Sequence, residues 1–168
     1  IGHASAKFTV STGSDLYRRS LYTYWKRQIP AANLRILGAD GRIACRTRRE
    51  MTNTPLQALV TLNDPQFVEA ARVLAERAIR QGGETPAERI AYAFRLATSR
   101  HILAPELEII QSEFIDRLTE FQKQVDAAEK YLAGGGEQKP PADFDPAELA
   151  AYAATCSLIL NLDESLSR

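Results

Sequence analysis

Residues 46–65 read RTRREMTNTPLQALVTLNDP, a span that holds three arginines, two proline-marked helix starts and an Asn-Asp pair. Thr54-Pro55-Leu56-Gln57 supplies a capping hydroxyl, a proline at the first helical position and a glutamine three residues after the cap. Proline is tolerated there because the first-turn N–H groups have no intrahelical partner. Asp64-Pro65, Thr85-Pro86-Ala87-Glu88 and Asp145-Pro146-Ala147-Glu148 repeat the device. Four such starts predict an all-α protein. They also give Thr54, Asp64, Thr85 and Asp145 the duty of helix caps, worth about 1 kcal/mol each.

Working outward, each delimited segment shows an apolar face. The spacing predicts a short helix over 55–62 with Leu56, Leu59 and Val60 inward, and one over 65–81 burying Phe67, Ala71, Leu74 and Ala78. A third, over 86–99, buries Ile90, Ala93, Phe94 and Ala97. From Pro105 to about Ala133, apolar residues at Leu107, Ile110, Phe114, Leu118, Phe121, Val125, Ala128 and Leu132 alternate steps of three and four. That is the seam of one long heptad-patterned helix, projecting about 40 Å at 1.5 Å per residue. The last helix, 146–160, is alanine-rich, with Leu149, Tyr152, Cys156, Ile159 and Leu160 at core spacing, and Asn161 suits a left-handed cap after it. Gly134-Gly135-Gly136 and Lys139-Pro140-Pro141 mark 134–145 as a flexible connector. The expected architecture is an irregular bundle of five to six helices: a single helical domain over 16–168, preceded by a loose arm over 1–15.

The region before residue 46 is more ambiguous in its local signals. Ser14 or Asp15 can cap a helix through LYRRSLYTYWKRQ, with Leu16, Tyr17, Leu21, Tyr24 and Trp25 on one face and Pro30 ending it. Aromatic side chains interleaved with arginines are also a single-strand nucleic-acid pattern. Arginine stems covering a core-facing aromatic stripe account for them better, so no nucleic-acid partner is expected. Asp40-Gly41, between the apolar pieces 34–37 and 43–45, allows a small β-hairpin near 34–45.

Lysine plus arginine and aspartate plus glutamate are equal at 21 each, yet residues 1–50 hold ten basic residues against Asp15, Asp40 and Glu50. That polarity favours a basic segment folding onto the acidic helices of the same chain over an external polyanion. The longest apolar run, 149–160, is interrupted by Thr155 and Ser157 and is too short for a membrane span, which takes roughly 20 residues. No charged-then-apolar leader opens the sequence, which begins at Ile1, as a processed or excised piece would. Cys45 and Cys156 form no CxxC or CxxCH motif, leaving either one long-range disulfide or two buried thiols. With only His3 and His101 as histidines, imidazole catalysis and transition-metal binding have little material, and no metal is expected.

The polar residues with chemical potential are Arg46, Arg48, Arg49, Asn53, Asn63, Asp64, Asn161, Asp163 and Glu164. Asn63-Asp64 and Asn161-Leu162-Asp163-Glu164 each follow an apolar helix, so they can converge on the arginine loop as an anion-binding or ion-pair cluster. Arginine neighbours depress a carboxylate's pKa, which is the wrong direction for a general acid. An ion-pair knot tying helix ends together is therefore expected, and no catalytic residue is assigned.

Three stretches, YRRSLYTYWKR, CRTRREMTNTPLQALVTLNDPQFVEAAR and the closing LNLDES before Arg168, together resemble a planctomycete-type C-terminal domain of unknown function. Proteins of that kind are large and exported and often carry a cytochrome-c-like domain upstream. The resemblance covers about Leu16 to Arg168, the C-terminal portion of such a domain. It implies an extracytoplasmic (periplasmic or secreted) location, with haem c in a companion domain and no cofactor in this chain. The sequence departs from the pattern at Met51, where another arginine is usual, at Ser165, where an aromatic is usual, and at 37–39, which lacks a Phe-Asp pair. The expected function is a non-enzymatic helical interaction or scaffold domain, whose partners are other domains of the same polypeptide or other chains of an assembly. The alternative is a module that binds or processes anionic polysaccharide through Arg46, Arg48 and Arg49.

Overall fold

A computed structural model describes residues 12–22, 32–39 and 53–166. Among these residues there are eight α-helices and two 3-10 turns, with no strand. The helices are α1 (Ala32–Ile36), α2 (Pro55–Asn63), α3 (Pro65–Gln81), α4 (Pro86–Thr98), α5 (Ala104–Lys123), α6 (Val125–Ala133), α7 (Pro146–Leu160) and α8 (Asp163–Leu166). The protein is all-α, and its proline-marked starts are where the helices begin. Thr54 Oγ1 accepts from the Gln57 N–H and Thr85 Oγ1 from the Glu88 N–H, each at 3.3 Å, in reciprocal capping boxes. Asp64 accepts from Gln66 N and Asp145 from Glu148 N.

The bundle is built around α7. Ala147, Leu149, Ala150, Ala151, Tyr152, Ala153, Thr155, Cys156, Ser157 and Ile159 are all buried, so this helix faces protein on nearly every side, with Leu158 in its last turn exposed. It packs against α3, α4, α5 and α6. α3 brings Ala71, Ala75 and Ala78, each fully buried and spaced four and three apart, which makes a flat face that lets the two backbones approach closely. Phe114 of α5 sits 4.4 Å from Tyr152, ring centre to ring centre. Thr155 satisfies its hydroxyl within the helix by donating to Ala151 O at 2.9 Å.

The single long helix expected over 105–133 is broken. Gln124 closes α5, its N–H donating to Glu120 O and Phe121 O, and opens α6, its carbonyl accepting from Ala127 and Ala128. The physical reason is length. α7 has 15 residues, about 22 Å at 1.5 Å per residue, so a straight helix nearly twice as long would leave its far half without a partner. Turning at Gln124 lays both halves on α7 and brings Phe121 to 5.8 Å from Tyr131. The seam is re-phased at the break: Val125, expected inside, is 47% exposed, while Ala128 and Leu132 are buried.

Three other expectations are corrected. Residues 13–22 form two 3-10 turns, Gly13–Tyr17 and Ser20–Tyr22, separated by extended backbone at Arg18, in place of the start of a long amphipathic helix. Its supposed core face, Tyr17 and Leu21, is exposed, and a helix without a buried face gains nothing from tertiary packing. Leu34–Leu37, the first arm of the hairpin, belongs instead to the turn of α1, which Gly38 closes at φ 79°; the second arm lies outside the described residues. The left-handed cap falls not at Asn161, whose φ is −93°, but at Ser99, whose φ is 60° after α4.

α2 is turned over relative to expectation. Leu56 and Leu59 point outward and Val60 is half-buried, while Gln57 and Thr61 are buried. The segment 134–145, expected as a flexible connector, lies against α3 at its start: Gly135 is buried, and a side chain there would meet the Glu69 backbone N at 2.9 Å.

Ala75→Leu forces extra methylenes into the α3–α7 contact and should destabilise the protein by about 1–3 kcal/mol. Val73→Ala, on the exposed side of the same helix, should stay within about 0.5 kcal/mol. Urea midpoints of the two variants check the difference.

Candidate functional site

Polar side chains gather at three joints between helices. The first joins α2 to the end of α7. Thr61 donates to Asn161 Oδ1 at 2.6 Å, and Asn53 Nδ2 donates to Asp163 Oδ1 at 3.1 Å. Gln57, buried on the same side of α2, accepts from the Thr54 N–H at 2.7 Å. These bonds fix which side of α2 faces inward, because buried polar groups must be partnered whereas leucines tolerate exposure.

The second joint is made by Arg100, just after the left-handed Ser99. Its Nη1 and Nη2 grip Glu106 at 2.8 and 2.6 Å, and its Nε reaches Glu164 at 2.9 Å. The guanidinium lies over the Phe94 ring, 4.7 Å from its centre. Glu106 also accepts the Leu103 N–H at 2.9 Å. Held first by Arg100 and then by that backbone N–H, the Glu106 carboxyl is brought down to about 2, and the same pairing raises Arg100. One guanidinium thus links the end of α4, the start of α5 and α8.

The third joint sits on α3. Glu69, Arg72 and Glu76 are spaced three and four apart, on one face. Glu69 is 4% exposed and Arg72 2%, although both are charged residue types. Arg72 pairs with Glu76 and donates from Nη2 to Gln138 O at 2.9 Å. Glu69 accepts from the Tyr17 hydroxyl at 2.8 Å, a bond that raises the Tyr17 pKa. Gly136, at φ 58°, lies so close to Glu69 that no side chain fits there.

Asn53, Asn161, Asp163 and Glu164 are thus brought to the joints between α2, α7, α8 and the α4–α5 corner. Asp64 is not among them; it caps α3. Asn63 bonds back within α2, to Leu59 O at 2.8 Å. Arg46, Arg48 and Arg49 lie outside the described residues, as do Cys45, Tyr24 and Trp25. Cys156 is a free, buried thiol that burial pushes up to about 12. Sequence reasoning missed Tyr17, Glu69, Arg72, Arg100 and Glu106 as partners. A signal for Arg72 existed: it lies between Ala71 and Ala75 on the core face of α3, where an arginine must be bonded internally. Nothing local announces Arg100, whose partners Glu106 and Glu164 come together only in the folded chain.

The joints are built for holding. Each described carboxylate in them is engaged by an arginine, an amide, a hydroxyl or a backbone N–H. The Glu88 carboxyl, like Glu106, is displaced below its ordinary range, by the Thr85 backbone N–H first of all. Carboxylates so displaced stay ionised at neutral pH and cannot serve as general acids. Among the described residues no group of three His, Cys, Asp or Glu could hold a metal ion, and no helix is long and apolar enough to cross a membrane. The clefts are open ones. One, of about 340 Å³, is lined by prolines, Phe144, Leu132 and Leu149, with Glu129 as its single charged residue.

A family model described as PSD1, protein of unknown function (DUF1553), matches residues 3–114. The match starts earlier than the resemblance seen in the sequence and stops inside α5, so it takes in the first two of the three stretches and not LNLDES. No curated protein and no solved structure matches the chain.

The Glu106 pairing has a pH signature. Its folded pKa is depressed from 4.5 to about 2, so its stabilisation is fully present above pH 4.5 and is lost as pH falls toward 2. Glu106→Gln should flatten that part of the stability profile while leaving the slope near neutrality unchanged, as followed by urea midpoints between pH 2 and 7.

Proposed function

Because the chain belongs to the PSD1 family of proteins of unknown function (DUF1553), its role must be argued from its geometry, and we propose that it is a non-enzymatic helical interaction domain that docks through α2. One observation carries this reading: Leu56, Leu59 and Leu62 are 60%, 59% and 45% exposed on a helix whose polar residues Gln57 and Thr61 are buried. The leucines recur every three residues, so they form one row about 9 Å long. α2 contains no charged residue, and its outward face therefore suits an apolar partner surface.

The size of the patch narrows the kind of partner. Three leucines offer on the order of a few hundred Å², below the roughly 800 Å² per side of a stable free-standing complex. The row therefore serves a partner that other contacts or a covalent linker already hold close: another domain of the same polypeptide or another chain of an assembly. The engaged carboxylates argue against a catalytic role. The likeness of the three sequence stretches to exported, cytochrome-associated proteins supports an extracytoplasmic setting with haem c in a companion domain.

Hydroxyl-radical footprinting of the isolated chain against the protein in its native assembly tests the docking surface. Oxidation at Leu56, Leu59 and Leu62 should fall at least about threefold on assembly; equal labelling in both states would overturn the reading. Leu56→Asp with Leu59→Asp should leave the melting temperature within a few degrees, since both side chains are already exposed, and should abolish the protection at Leu62.

A further inference from the structure

The 3-10 turn Gly13–Tyr17 has no buried residue, yet it is fixed at three points. Gly13 N donates to Glu137 at 2.7 Å, Gln66 Nε2 donates to Leu16 O at 3.1 Å, and the Tyr17 hydroxyl donates to Glu69 at 2.8 Å. All three anchors belong to α3 or to the glycine segment seated on it. Only the Tyr17 bond reaches a buried group. Glu69 has Tyr17 on one oxygen, while its other oxygen lies against Gly136.

We propose that residues 13–17 are a strap closed over the Glu69–Arg72 centre, opening as a unit when the Tyr17–Glu69 bond breaks. A segment with no fully buried residue, Leu16 being only half-buried, gains little from the hydrophobic effect, so among the described residues its ordering leans on those hydrogen bonds. The bond to Glu69 is the anchor whose loss costs most, because its acceptor is buried and a buried polar group left without a partner is penalised. Opening has a consequence for α3 as well. It removes the hydroxyl from a carboxylate that is 4% exposed, and such a group must then draw in water or another donor. The strap and the α2 leucine row are independent features: the strap covers charge on α3, whereas the row is open in the closed state.

Hydrogen exchange by mass spectrometry on the full 168-residue chain is the test. Tyr17→Phe keeps the ring, which is 56% exposed, and deletes only the hydroxyl, so the domain should stay folded. Exchange in peptides covering 12–18 and 134–138 should accelerate by about tenfold, the worth of one hydrogen bond to a charged acceptor, with α7 unchanged. Unaltered exchange in 12–18 for Tyr17→Phe would overturn the proposal, as would an equal acceleration throughout α7, because the Tyr17 bond would then belong to global stability and not to a separable strap.

Discussion

The helix that must be surrounded decides the architecture. α7 has Glu148 as its only charged residue and buries side chains around its whole circumference, so it cannot lie at a surface. Walls must be supplied on every side. α3 supplies one with a row of alanines, α4 another, and α5 with α6 the rest. Small residues let the walls come close, and close approach is how an alanine-rich helix gains contact area despite its short side chains. The ends of the walls then meet near the ends of α7, and an ionic contact ties each of those ends. Arg89 reaches Glu148 at its N-terminal end, and Arg100 reaches Glu164 just beyond its C-terminal end.

The three sequence stretches that set this chain apart are joined in space by polar contacts. Tyr17 of the first meets Glu69 of the second, and Asn53 and Thr61 of the second meet Asp163 and Asn161 of the third. Residues far apart in the chain are thereby spent on orienting α2 and α3 with respect to α7. Fixing α2 with its polar side inward has an unusual result, since it obliges the leucines to face out. In a helix of nine residues the two faces compete directly, and a buried hydroxyl or amide left without a partner costs more than an exposed leucine. The exposed row is thus a consequence of the joint, which ties the proposed docking surface to the most idiosyncratic part of the sequence.

Helix starts could be read from the sequence because capping is local: a threonine or aspartate before proline needs only the next three residues to act. The core face of α3 was legible through Ala71 and Ala78, and that of α7 through Leu149, Tyr152, Cys156 and Ile159. Periodicity failed in two informative places. In α2 it placed Leu56 and Leu59 inside, because it weighs apolar residues and is blind to partners such as Asn161 that arrive from 100 residues away. At Gln124 no glycine or proline marks the break; the turn is imposed by the length of α7, which no local pattern in 105–133 encodes. The arginines expected to tie helix ends, Arg46, Arg48 and Arg49, lie outside the described residues; those seen at helix ends are Arg89 and Arg100.

Enclosing α7 also leaves a chemical clock at its middle. The Cys156 thiol is 1% exposed, and burial alone raises it to about 12, so at neutral pH it is both shielded and protonated. An alkylating reagent can reach it as thiolate only after α3, α5 or α6 has moved aside. The speed of its modification therefore reports how often the helices packed on α7 part from it, a motion distinct from opening of the strap.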